Sequence, residues 1–594
     1  MVVVRRRGAL WSRSTAATAG MALFSLTMVG VMPFGGGSSA GASARAPGGA
    51  ASAGTYYAVS RRVCATPKRA RVVTCLAERR VLVKRGTKGA RPFALASGAT
   101  SAATIGPAGG LTPGDLGSAY GLNTTGGAGQ TVAIVDSFNA PNLAADLDTF
   151  DAQYGLAACA PGGCLRVVDQ AGGASLPAND TQGWSLEETL DVETVHSICQ
   201  SCRILVVEAN STSNADIAAA ENEAVTLGAT EVSNSFGDLE TNSDPAFQAA
   251  FNHPGVVITA AAGDDGYYNF DQLSATNQPD VPASYPTVVA VGGTSLYLGQ
   301  SAARQSETVW NANGVQDFYE QNLFGLALGA GGGGCSTRFG APAWQTHLAV
   351  WPSTACGTNR LVADVAAVGD SLTGFDIYDS YNCGAQCGDA PPGWQTVGGT
   401  SLAAPIIAAT YALAGGAHGV PYPALTLYGH LGSAYDVTVG GNGWCDGEGA
   451  AACGNPNTLG YGVVDCAYPA TGTTPNPGNR ACAGLPGYDG PTGVGTPNGL
   501  TAFTRTGPTA HISGPTVLTH GTTQIWRAST GDPFPGGTVT RYQWNWGDGT
   551  APTVTTTNSA SHRYAIGRVT RTITLTVTDN YTMTGTTTYH VTVN

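Results

Sequence analysis

Four short runs with almost no polar residues constrain this chain most: Thr131-Val132-Ala133-Ile134-Val135-Asp136, Arg203-Ile204-Leu205-Val206-Val207-Glu208, Val256-Val257-Ile258-Thr259-Ala260 and Val288-Val289-Ala290-Val291. Helical patterns at 187–197 and 215–227 lie between them. Strands that do not alternate polar with apolar residues are buried on both faces, and strands alternating with helices join in parallel. The runs therefore predict an α/β fold, a parallel sheet flanked by helices. In such sheets ligands gather beyond the carboxyl ends of the strands, and Asp136 and Asp264 both stand at such ends.

The 594 residues are too many for one ordinary core and predict two or three domains. Arg5, Arg6, Arg7 and Arg13, an apolar run from Ala16 to Phe34 and the small residues Ala42-Ser43-Ala44 read as a secretory signal over 1–44. Residues 45–110, rich in Arg, Lys, Ala and Gly, suit a short pro-segment, cleaved or loosely ordered. The alternating strand and helix pattern fills 111–504. From 505 to 594 the helical signal disappears, and Tyr542-Gln543-Trp544-Asn545-Trp546-Gly547-Asp548-Gly549 runs as a strand into an Asp-Gly turn, which predicts an all-β sandwich. Export fits the fourteen cysteines, read as disulfides with Cys64–Cys75, Cys159–Cys164, Cys199–Cys202 and Cys383–Cys387 as the near pairs. The net charge of -12 argues against a nucleic-acid partner. Charged residues are only 11%, which suits work in acid, where little structural weight can rest on ion pairs. No later segment is apolar enough to hold the chain in a membrane, and a monomer is expected.

Three stretches carry chemistry. Gly183-Trp184-Ser185-Leu186-Glu187-Glu188-Thr189-Leu190-Asp191 reads as a capped helix with Glu187 and Asp191 on one face, since residues four apart are neighbours. Ser401 in Gly398-Gly399-Thr400-Ser401-Leu402-Ala403-Ala404-Pro405 stands where a glycine turn enters an apolar helix, with Pro405 in the first turn. A serine there has its amide free to hold an oxyanion. Asp264 lies in the glycine-rich loop Ala261-Ala262-Gly263-Asp264-Asp265-Gly266. The chain also supplies a control: Gly292-Gly293-Thr294-Ser295 repeats the four letters, but Leu296-Tyr297-Leu298 after it reads as strand. A serine needs a base; the histidines between Asp136 and Ser401 are His196, His253 and His347, and none sits in a His-Gly-Thr turn.

In this order, Glu187 with Asp191, Asp264 and Ser401 resemble the sedolisin family of serine-carboxyl peptidases, over about residues 111–503. The resemblance implies a subtilisin-like parallel sheet flanked by helices. It implies Glu187 as general base, Asp191 as its partner, Ser401 as nucleophile, Asp264 as oxyanion donor and Asp136 as a supporting acid. Protein or peptide substrates and an acid working range follow. It also implies one structural calcium ion, held by Asp436, Asp489 and the carbonyls of Val437, Leu485 and Gly487, an all-oxygen set suited to that ion. Phe236 stands where relatives commonly carry a tryptophan near the acids, and an insertion with Cys445, Cys453, Cys466 and Cys482 divides the calcium segments. The C-terminal sandwich resembles a polycystic-kidney-disease (PKD) repeat, a spacer or weak binder of polymers. Two rivals remain: a neutral-pH subtilisin-type protease using Asp136 and a histidine, and an inactive surface-binding protein.

Overall fold

The apolar runs assemble into one eight-stranded sheet. The computed structural model describes residues 56–64, 70–84, 91–93, 106–159, 163–269, 278–299, 302–311, 329–382, 391–443 and 479–594. The expected signal segment, the pair Cys383–Cys387 and the cysteines at 445, 453 and 466 lie outside them. The strand order is Arg304–Val309, Val289–Leu298, Val257–Ala261, Glu231–Asn234, Thr131–Ser137, Arg203–Ala209, Leu165–Asp169, with Val365–Val368 also joined to Val289–Leu298. Every neighbour is parallel except Arg304–Val309, which pairs antiparallel. Val132, Ala133, Ile134 and Val135 are all buried, as strands covered on both faces must be. Ser295 lies within Val289–Leu298, so the repeated tetrapeptide has no helix behind it.

Two helices set the site. Trp184–Ile198 is buried along its whole length and packs against Thr400–Ala414. Gly183 at the head of the first has φ 103° and no side chain to cap with; the Asp180 carboxylate instead accepts the amides of Gln182, Gly183 and Ser185 at 2.7, 3.0 and 3.1 Å. The second helix begins at Thr400, so Pro405 stands one turn deeper than expected. Proline has no amide to return to the carbonyl four residues back, and the Ser401 carbonyl takes the Ser235 hydroxyl at 3.3 Å instead.

Part of the segment expected to be loosely ordered is built into the fold. Tyr56–Arg62, Glu78–Leu82 and Arg91–Phe93 form a five-stranded sheet with Phe375–Asp379 and Gly393–Gly398. Composition misled because five arginines, Arg61, Arg62, Arg79, Arg80 and Arg91, sit in these strands. Disulfides join Cys64–Cys75, Cys159–Cys164 and Cys199–Cys202 as expected, and also Cys335–Cys356, a pair too far apart in sequence to read from spacing.

The C-terminal region forms a three-stranded and a five-stranded sheet around its own core of Trp526, Trp544, Trp546, Ile573, Leu575 and Val577. Trp544 and Trp546 are both buried, stacked at 5.8 Å. Phe534 and Met583 reach out of this region into the core of the larger one. No helix among the described residues is long and apolar enough to cross a membrane.

Candidate active site

The two packed helices bring their acids and serine together inside the protein. Glu187, Asp191 and Ser401 are each 0% exposed. Burial, then the charges of Asp191 and Asp136, push the Glu187 carboxyl well above its ordinary range, while the nearby Ser401 hydroxyl pulls the other way. Burial raises Asp191 too, opposed by Ser235, whose hydroxyl lies 2.9 and 2.8 Å from the two Asp191 oxygens. The Ser401 hydroxyl donates to the Ser235 carbonyl at 3.1 Å. Neither Glu187 oxygen has a hydrogen-bond partner, so the serine is close enough to act on Glu187 electrostatically but is turned to the carbonyl.

Asp264 follows strand Val257–Ala261 and faces the head of the serine helix. Its Oδ1 accepts the Thr400 amide and hydroxyl, both at 2.7 Å, and its Oδ2 is buried without a partner. Burial, with the charge of Glu78, pushes Asp264 well above its ordinary range, against the two bonds from Thr400. A protonated carboxyl has one hydroxyl to donate. With Oδ1 already taking two donors, the proton belongs on Oδ2, which lies 2.8 Å from where a Cβ on Gly399 would stand.

Asp136 lies among acids rather than beside a histidine. It is raised by burial and then by Asp191, Glu208 and Asp180, and Glu208 faces it across paired strands. Glu208 is itself pushed up to about 8, chiefly by burial. The three histidines lie elsewhere: His196 bonds the Ala157 carbonyl at 3.0 Å and Asp151 at 3.2 Å, His253 bonds Asn222 at 3.1 Å, and His347 is exposed on the surface beside Gly536. Sequence reasoning missed Ser235, Thr400 and Glu208. Glu208 lies near the carboxyl end of one parallel strand and Ser235 just past the end of another, where that signal pointed. Phe236 packs beside Trp184, ring centroids 6.3 Å apart, so an aromatic from the acidic helix lies next to the position where a tryptophan was expected.

The second candidate site is a turn held by two aspartates. Asp489 is fully buried; its oxygens accept the Leu485 amide at 2.9 Å and the Thr492 amide and hydroxyl at 3.0 and 2.9 Å. Asp436, more exposed, accepts the Gly487 amide at 2.9 Å. Burial, with a smaller contribution from Asp436, pushes Asp489 up to about 8. Arg480 donates to the carbonyls of Pro486 and Tyr488 at 2.9 and 2.8 Å, bracing the same turn. An oxygen set with two acids pressed together fits a hard divalent cation.

A model of the subtilase family matches residues 170–423. Kumamolisin of Bacillus sp. (strain MN-32) is 34% identical over 354 residues, 56% of this chain and 57% of that protein. Sedolisin of Pseudomonas sp. (strain 101) is 28% identical over 371 residues, 58% and 56% of the two chains. The solved structure of Pseudomonas sedolisin, a serine-carboxyl proteinase complexed with two molecules of pseudo-iodotyrostatin, is 25% identical, with a TM-score of 0.49, covering 66% of this chain and 96% of that one. The chain thus spans somewhat over half the length of these two curated relatives.

Proposed function

We propose that this chain, which belongs to the sedolisin family of serine-carboxyl peptidases, is an exported endopeptidase that hydrolyses protein substrates in acid through Ser401, Glu187 and Asp191. The observation that carries this reading is the buried pair Glu187 and Asp191, one helical turn apart and beside the Ser401 hydroxyl, with His196 and His253 bonded elsewhere and His347 exposed on the surface. Two carboxyls this close share a proton, since ionising both inside the protein is costly. The ionised member of the pair, on Glu187, takes the Ser401 proton as Oγ attacks the peptide carbonyl. Asp264 donates from Oδ2 to the oxyanion, together with the Ser401 amide, which has no carbonyl partner at the helix head. Asp136 and Glu208 hold protons behind the pair, and Ser235 fixes Asp191.

In this reading 111–504 is the catalytic unit, following the signal and the segment to 110, and 505–594 is a PKD-like module that spaces or binds substrate. Asp436 and Asp489 with the carbonyls of Val437, Leu485 and Gly487 hold one calcium ion, whose charge offsets the two aspartates and ties the turn 485–489 to residues 436–437. The ion takes no part in the reaction.

The test is hydrolysis of denatured protein across pH by the wild type, Ser401→Ala, Ser295→Ala and Glu187→Gln. Ser401→Ala should abolish turnover and Ser295→Ala should leave it within a few-fold. Glu187→Gln should lose several orders of magnitude, because an amide cannot accept the serine proton. A wild-type optimum above pH 7, lost when His196, His253 and His347 are replaced together, would return the subtilisin reading.

A further inference from the structure

A second group of carboxyls is gathered behind Asp191. Asp136 and Glu208 are register partners in the adjoining parallel strands Thr131–Ser137 and Arg203–Ala209, and side chains paired in this way leave the sheet on the same face. The helix Trp184–Ile198 packs against the first of these strands. Within that helix Glu188 stands three residues before Asp191 and Glu187 four, so Asp191 has both as neighbours on the preceding turn. Glu187 serves the serine, whereas Glu188 meets the strands. Burial, then the charges of Glu208, Asp136, Asp180 and Asp191, push Glu188 well above its ordinary range. The charges that follow burial at Asp136 are Asp191, Glu208 and Asp180, and at Glu208 the charge is Asp169 of the next strand. Each of these is a carboxylate. Asp180 has three amides to hold its charge, those of Gln182, Gly183 and Ser185. The inner three have no such support: both oxygens of Asp136, both of Glu208 and one of Glu188 are buried without a hydrogen-bond partner, and the residues are 0, 0 and 1% exposed. Several negative charges cannot be kept in so small a dry space. The three therefore hold their protons in acid, and a protonated carboxyl donates as well as accepts.

We propose that Glu188 and Glu208 are positioning residues for the peptidase reaction: as neutral acids they turn the proton of Asp136 toward Asp191, which keeps the one negative charge of the Glu187–Asp191 pair beside Ser401. This deepens the catalytic reading above and rests on it. Neither residue touches a reacting atom; both act through Asp136. A hydroxyl given to Asp136 leaves the Asp136 hydroxyl free for Asp191. A donor to ionised Asp191 lowers the affinity of the pair for a second proton, so the base stays charged further into acid.

The full chain is compared as wild type, Glu188→Gln, Glu208→Gln, Glu188→Met and Glu208→Met, by kcat/KM on a denatured protein across the acid range and by Tm at pH 4 and pH 8. Glutamine copies the neutral acid, with a donor and an acceptor; methionine keeps the bulk and loses both. In the methionine variants the acid limb should move to higher pH by about one unit, the worth of one hydrogen bond to a charged group. In the glutamine variants it should stay with the wild type. A carboxyl that holds its proton only when folded costs stability as pH rises, so Tm should fall less from pH 4 to pH 8 in the glutamine variants than in the wild type. Methionine variants that lose rate with the limb unmoved make these residues mere packing and overturn the inference. Glutamine variants whose limb moves as far as that of the methionine variants overturn the donor role. An unchanged fall of Tm in both glutamine variants overturns the protonated state, and it does so even where a methionine variant does not fold. Each of these results leaves the catalytic reading standing. A wild type that hydrolyses nothing at any pH overturns that reading and the inference with it.

Discussion

At Asp264 the two oxygens have different duties: Oδ1 is held by Thr400 at 2.7 Å, and Oδ2 faces the space beside Gly399. Asp264→Asn keeps a donor at the second position but cannot lose it as pH rises. Its kcat should fall by about 10² on the general worth of one oxyanion donor. The loss of activity toward neutral pH should also become shallower than in the wild type, which a rate profile at saturating substrate reads directly. An unchanged rate and profile would remove Asp264 from the site. Glu187, Asp191, Asp264 and Ser401 were legible because helical spacing and glycine turns leave a mark in the letters. Ser235 left none, since a serine at a strand end looks like any other until two helices are packed upon it.

Ser235 links those helices: its hydroxyl reaches Asp191 on one and the Ser401 carbonyl on the other, and the second bond exists because Pro405 supplies no amide. Ser235→Ala should therefore do more than slow the reaction. The hydroxyl favours the ionised form of Asp191, so its loss raises the proton affinity of the Glu187–Asp191 pair. The acid limb of the kcat/KM profile, where the base loses its charge, should move to higher pH. A uniform loss with the limb unmoved would make Ser235 merely structural. The central strands were readable as elements because burial on both faces erases polar alternation. The strand Glu78–Leu82, ERRVL, was not, because only pairing with a distant partner makes so charged a segment a strand.

Across the whole molecule, buried carboxyls held above their ordinary range set the pH response. Glu78 and Asp379 are pushed up to about 7, and Glu208, Glu221, Glu231, Asp280 and Asp489 to about 8, with burial first among the causes. Between the unfolded values near 4 and these folded ones the native state binds more protons than the unfolded chain, so stability falls as pH rises. Tm without calcium should be highest near pH 4 and fall toward pH 8; a curve rising over that window would contradict the assignment. Calcium should act in the same range. Added ion should raise Tm near neutral pH and chelator should lower it, while Asp489→Ala should melt lower and ignore both. Wild-type melting indifferent to ion and chelator would sink the site.

The pairing of Arg79 with Val397 also sets a timetable for the newborn chain. At about 5–20 residues per second of synthesis, the first strands are finished roughly 15–60 s before the partner that completes their sheet exists. A strand edge left open that long invites pairing with another chain, and charged side chains are a common protection. The five arginines in Tyr56–Arg62, Glu78–Leu82 and Arg91–Phe93 suit that interval. Replacing the exposed Arg61 with threonine should thus leave the finished fold nearly unchanged and lower the yield of soluble chain.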